Sequence, residues 1–106
     1  LKVGDTVRVH QKIKEGTIGN NVSFIGKSAF YNCKNLTKVY IGKKVEIIYQ
    51  NAFKGDKKLK NITIKAKRAK SNKGAFSKIS GKSVFKVPKN CKAYYKIVLG
   101  KSRNIK

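Results

Sequence analysis

The side chains that ordinarily do chemistry are few in this chain, and they stand apart. The single histidine, His10, has no second ligand type near it, and Cys33 and Cys91 form no Cys-x-x-Cys pair. A zinc site is therefore not expected. The four carboxylates, Asp5, Glu15, Glu46 and Asp56, fall singly, with no two placed to share general acid and base work. No Gly-x-Ser-x-Gly turn is present, and no triad partner beyond His10. Gly19-Asn20-Asn21 and Gly26-Lys27-Ser28 look like pieces of a phosphate loop but lack its glycine spacing, and they read as turns. The expectation is a protein without catalysis, cofactor or metal.

What the chain has in abundance is positive charge. Lysine and arginine number 27 against 4 acids, a formal net charge of +23 on 106 residues. Such a field draws in nucleic acid, anionic polysaccharide, teichoic acid or an acidic membrane surface, and it repels itself in the compact state. Only Arg8, Arg68 and Arg103 are arginines. Arginine's planar fork suits specific phosphate and base readout, so a lysine supply fits diffuse attraction better. The densest run lies between Lys54 and Lys73. Within it Lys57, Lys58, Lys65, Lys67, Arg68 and Lys70 are the candidate polyanion contacts.

The elements that must position these residues are written as a repeat. Ile18, Val22, Ile25, Ala29 and Phe30 recur as Ile41, Val45, Ile48, Ala52 and Phe53, each twenty-three positions on. Leu36, Val39 and Ile41 recur as Leu59, Ile62 and Ile64 at the same offset. A more degraded copy follows, with Phe76, Phe85 and Val87 in phase but Ser71 and Lys82 where Ile48 and Leu59 stood. A weak partial copy precedes, at Val7 and Ile13. A fixed period of this size is the mark of a solenoid whose units bury their apolar faces against each other. The segments Leu36–Ile41 and Leu59–Ile64 end in alternating apolar and polar residues, as half-buried strands do. The turns after each Ala-Phe pair leave room for one tight helical turn. Phe24, Phe30, Phe53, Phe76 and Phe85 are assigned to packing, and Tyr31 and Tyr49 to turns.

The phrase from Ile25 to Ile41, Ile-Gly-x-x-Ala-Phe-x-x-Cys-x-x-Leu-x-x-Val-x-Ile, resembles the BspA-type leucine-rich repeat of bacterial surface proteins, although the second copy has Tyr49 for Gly26 and Asp56 for Cys33. The segment from Val84 to Tyr95 is similar to the close of such arrays in Gram-positive gut bacteria. The resemblance implies an α/β repeat fold: a short leucine-rich-repeat solenoid with a concave parallel sheet, short helical turns and a C-terminal capping helix. It also implies display at a bacterial cell surface or secretion, and it names no ligand. The outward strand positions on the concave face are then Glu15, Thr17, Lys38, Tyr40, Asn61, Thr63, Val84 and Lys86, which is close to neutral. Lys38, Tyr40, Asn61, Thr63 and Lys86 are the candidate binding strip.

Residues 3–16 also resemble the opening of a bacterial large-subunit ribosomal protein, the L-nineteen family, where it begins a small RNA-binding barrel. A Gly-Asp-Thr-Val turn before a strand is equally a common hairpin phrase, and either origin makes the segment an N-terminal cap. At the other end Pro88 stops the strand and Asn90 is the expected helix N-cap. Ala93, Tyr94, Ile97 and Val98 form the apolar stripe, Tyr95 faces outward, and Gly100 closes the helix. The expected plan is a single domain: a cap at 1–16, repeats at 17–41, 42–64 and 65–87, a capping helix at 88–100 and a frayed tail at 101–106. Cys33 and Cys91, about two coils apart, exceed the roughly 4.4–6.8 Å Cα separation of a disulfide and should both be free. No run reaches the about eighteen apolar residues of a membrane span. A chain that opens at Leu1 without an export signal is expected to be a fragment of a longer protein. The functional expectation is a binding or adhesion module whose partners are a host or bacterial surface protein, an anionic glycan or a wall polymer. Non-specific nucleic-acid binding is compatible with it, and a ribosomal or other RNA-binding protein is the alternative.

Overall fold

In the computed structural model, which describes residues 14–106, the twenty-three-residue offset becomes a hydrogen-bonding register. The strand expected over Val3–Val9 lies outside the described residues. β1 (Glu15–Ile18), β3 (Lys38–Ile41), β5 (Asn61–Ile64) and β7 (Val84–Lys86) lie side by side in parallel, and β8 (Asn104–Ile105) follows β7. Each residue pairs with its own repeat equivalent: Val39 with Ile62, Ile41 with Ile64, Ile62 with Phe85. A second parallel sheet, which the sequence reading did not separate from the turns, is built from β2 (Phe24–Ile25), β4 (Ile47–Ile48) and β6 (Lys70–Ser71). The turns obey the same step, for Phe30 N–H donates to the carbonyl of Ala52 and Phe53 N–H to that of Ala75. They are hydrogen-bonded turns with no helical segment.

Between the sheets runs the core, and its members are ladders. Val39, Ile62 and Phe85 form one, Ile18, Ile41 and Ile64 another, and Leu36 sits over Leu59, all buried. Phe30, Phe53 and Phe76 stack ring on ring, with centroids 5.1 and 5.0 Å apart and planes within 4° and 2°. Phe85 ends the stack edge-on to Phe76 at 5.1 Å. A ring repeated at strand spacing has only its own copy above and below, so identical residues pack best at each step.

The turn geometry is periodic as well. Ser28, Asn51 and Gly74 occupy one left-handed rung position, and Asn32, Gly55 and Lys78 another. Such backbone costs a side-chain-bearing residue about 1–2 kcal/mol, asparagine and glycine least. A Cβ on Gly55 would run into Oδ1 of Asn32. At Gly42 the preceding coil's backbone is the obstacle, with the carbonyl oxygen of Gly19 only 2.5 Å from where a Cβ would be.

Several expectations at the C-terminal end are corrected. Asn90 lies inside a 3-10 turn, Lys89–Cys91, and no side chain caps the helix that follows, α1 (Lys92–Leu99). Gly100 does close it, with φ of 114° and its N–H bonded to the carbonyl of Lys96. The helix is rotated from the expected stripe: Tyr95 is among the most buried side chains, while Ile97 is 78% exposed. The reason is a hydrogen-bond socket. The Tyr95 hydroxyl receives the Ala69 N–H at 3.0 Å and donates to the carbonyl of Ala66, so a polar-tipped ring outcompetes an aliphatic one. The tail is ordered by pairing. Lys106 N–H donates to Phe85, Ile105 is buried, and Arg103 donates to the Phe76 carbonyl at 2.8 Å with its guanidinium over the Phe85 ring. Burial lowers the pKa of that guanidinium. Phe24, assigned to packing, is 60% exposed on the outer face of the second sheet.

Phe53→Ala should cost about 3–5 kcal/mol in urea unfolding, because both stacked neighbours lose their partner, whereas Phe24→Ala should change stability by less than about 0.5 kcal/mol. Lys78→Gly should stabilise by about 0.5–1 kcal/mol and Gly55→Ala should destabilise, the two moving thermal midpoints in opposite directions.

Candidate functional site

The outward face of the five-stranded sheet carries the predicted strip as two in-register rows. Lys38, Asn61 and Val84 are consecutive partners along one row, and Tyr40, Thr63 and Lys86 along the other. Strand spacing sets each step at about 4.8 Å, so three strands bring Lys38 and Lys86 onto a patch roughly 10 Å across. Lys38, Asn61 and Lys86 are exposed, Tyr40 and Thr63 half-buried. A shallow depression of about 190 Å³ lies between Lys38, Asn61, Thr63, Val84 and Lys86. The structure thus gathers all five predicted residues on one face, with Glu15 beside Lys38 and Thr17 beside Tyr40.

The six candidate polyanion contacts do not share a surface. Lys57 and Lys58 line a depression at the turns with Asn32, Lys34 and Gly55. Lys65, Lys67, Arg68 and Lys70 line a different and larger one, about 720 Å³, with Lys43 and Lys44 of the preceding coil and Glu46 at its side. This second group borders the outer face of β2, β4 and β6, where Phe24, Ile47 and Lys70 are successive partners. The Phe24 ring meets Tyr49 edge-on at 5.9 Å. Arg68 is held in place, its guanidinium 5.5 Å above the Tyr94 ring while the Tyr94 hydroxyl donates to the Arg68 and Ala69 carbonyls. The sequence reading missed the aromatic neighbours because it had placed Phe24 in the core. Phase was the signal for it: Ile25 is in step with the core residue Ile48, so its neighbour Phe24 falls on the opposite face of the strand.

The other feature missed is Asp56. It takes the rung position of Cys33 and is fully buried; Oδ1 accepts the Cys33 N–H at 2.7 Å, while Oδ2 has no hydrogen-bond partner. Burial pushes its carboxyl up to about 8, against the pull of that hydrogen bond, and pushes the Cys33 thiol up to about 12, with Asp56 a smaller contributor. A thiol so raised is a poor nucleophile. Cys33 and Cys91 are both free. Among the described residues no group of three His, Cys, Asp or Glu side chains converges on a metal position.

The family model of the BspA-type leucine-rich repeat region, of six copies, matches residues 3–106. The chain belongs to the BspA-type leucine-rich-repeat family. The match takes in the opening segment that resembles a ribosomal protein, so those residues fall within the repeat region. No curated protein and no solved structure matches the chain. As a leucine-rich-repeat module it is a repeat scaffold of the kind that presents an extended binding surface. Among the described residues no helix is long and apolar enough to cross a membrane.

Asp56 gives folding a pH dependence whose sign is set by its direction. A carboxyl raised when folded binds its proton more tightly in the native state, so its contribution is fully present below about pH 4, declines as the pH rises and is lost once the pH passes about 8. The slope is at most about 1.4 kcal/mol per pH unit. Thermal denaturation from pH 4 to 9 should show this fall, and Asp56→Asn should flatten it.

Proposed function

We propose that this chain is an adhesion module of a bacterial surface or secreted protein, and that the outward face of its five-stranded sheet recognises a protein partner through Lys38, Tyr40, Asn61, Thr63 and Lys86. The observation that carries the reading is the register: parallel pairing at one repeat offset lines these residues up in two rows on adjacent strands. Their rotamers rise from a rigid sheet, so little ordering cost falls on binding. Tyr40 supplies the amphipathic contact surface that anchors protein interfaces, and Asn61 and Thr63 supply neutral hydrogen bonding. Family membership supports an interaction role, for repeat arrays present extended surfaces. The basic residues outside this face, from Lys57 to Lys70, hold the protein to anionic wall polymer or glycan, in keeping with a net charge of +23.

The test is a binding array of immobilised extracellular-matrix proteins, glycans and structured RNA, probed with labelled protein at about 150 mM salt, where the Debye length is about 8 Å. Protein ligands should lose about tenfold or more in affinity on Tyr40→Ala and several-fold on Asn61→Ala, with Lys57→Gln and Lys58→Gln neutral. Protein binding indifferent to the strip, or a clear preference for structured RNA over heparin of matched charge, would overturn the proposal.

A further inference from the structure

From the second sheet we infer a distinct site: the depression between Lys43, Lys44, Lys67, Arg68 and Lys70, extended past Ile47 on its wall to that residue's strand partner, the exposed Phe24, binds an acidic polysaccharide. This deepens, and rests on, the proposal that the basic face holds anionic polymers; it divides that face into one built site and a set of unspecialised lysines.

Three observations separate this depression from the remaining charge. The first is density: two adjacent coils deliver cations to one concavity of about 720 Å³, with Glu46 the one acid on its wall. Like charges so gathered repel, and an anion between them relieves that repulsion. The second is rigidity. Arg68 lies over Tyr94, which is itself bonded to the backbone of Arg68 and Ala69, so one cation is already fixed. Lys57 and Lys58 share their depression with Asn32, Lys34 and Gly55, none of which offers an aromatic face. The third is the apolar margin. Phe24 is 60% exposed and propped edge-on by Tyr49, and the outward row continues through Ile47 to Lys70. An apolar ring beside cations suits a polymer that carries both C–H faces and anionic groups.

Two of these features favour a glycan over a single-stranded nucleic acid. Nucleic-acid channels set aromatic platforms in succession for successive bases. Here the row has one ring, Phe24, before Ile47 and Lys70. Glu46 points the same way. A carboxylate repels the anionic groups of either polymer, but it accepts hydrogen bonds from the free hydroxyl groups that a sugar chain offers along its length and a DNA strand does not.

The experiment is fluorescence anisotropy on the whole chain at about 150 mM salt, a concentration that screens diffuse attraction. The probes are a heparin hexasaccharide, polyglutamate of matched charge and an oligothymidylate. The hexasaccharide should bind about tenfold more tightly than polyglutamate. Phe24→Ser should weaken it about fivefold while leaving polyglutamate unchanged, since only the sugar uses the ring. Lys67→Gln with Lys70→Gln should weaken both probes, and by at least about threefold more than Lys57→Gln with Lys58→Gln, whose loss is only the diffuse share of the attraction. Equal loss for all lysine pairs, or indifference of the hexasaccharide to Phe24→Ser, would overturn the site while leaving the basic face as a diffuse polyanion surface. Oligothymidylate binding most tightly, with a loss on Phe24→Ser, would reassign the site to nucleic acid. No binding by any probe would end the broader reading as well.

Discussion

Everything in this protein depends on one constraint: each residue is set beside its own counterpart twenty-three positions away in the neighbouring coil. The strands satisfy it through ladders from β1 to β7, and the turns through bonds such as Phe30 to Ala52 and Asn32 to Lys54. Once the backbone is locked at that step, side chains have no choice of neighbour. Phenylalanine must stack on phenylalanine, and a left-handed residue must sit above another, as Asn32, Gly55 and Lys78 do. The close approach at Gly42 belongs to the same constraint, because coils in this register leave no room for a Cβ there.

The same constraint explains what was legible in the sequence. Wherever a residue's role is to face its copy, phase alone finds it, and so Val39, Ile62 and Phe53 fall in the core and the side chains of Lys38, Tyr40, Asn61, Thr63 and Lys86 on the outward face, as phase predicts. Phase says nothing of a segment that occurs once. Helix α1, the strand β8 and the buried Tyr95 are unique to the closing end, and their placement is decided by tertiary partners: a socket made by Ala66 and Ala69, and a free strand edge on β7. Apolar periodicity pointed to Ile97 and Val98. A single hydroxyl with two backbone partners outweighed it. The second sheet was missed for a different reason, its strands being two residues long, too short for alternation to register. Phe24 was misassigned with it.

Charge follows the architecture. The sheet face that five strands present is nearly balanced, whereas the second sheet and the turns hold the lysines. An array built from near-identical units acquires distinct surfaces through the few positions at which its copies differ. Arg68 and Lys70 occupy rung positions that Val45 and Ile47 fill one coil earlier, and Asp56 fills that of Cys33. The first substitutions create a basic wall. The last puts a carboxyl into an otherwise apolar ladder.

The direction of the inter-strand bonds has a mechanical consequence. They run along the stacking axis, so tension between the ends of the stack loads them head-on, and coils detach in succession instead of shearing together. Each coil that peels away releases twenty-three residues, roughly 80 Å of slack. Under pulling, such a fold behaves as a stepwise extensible tether, yielding length at modest force while the coils still stacked keep their shape.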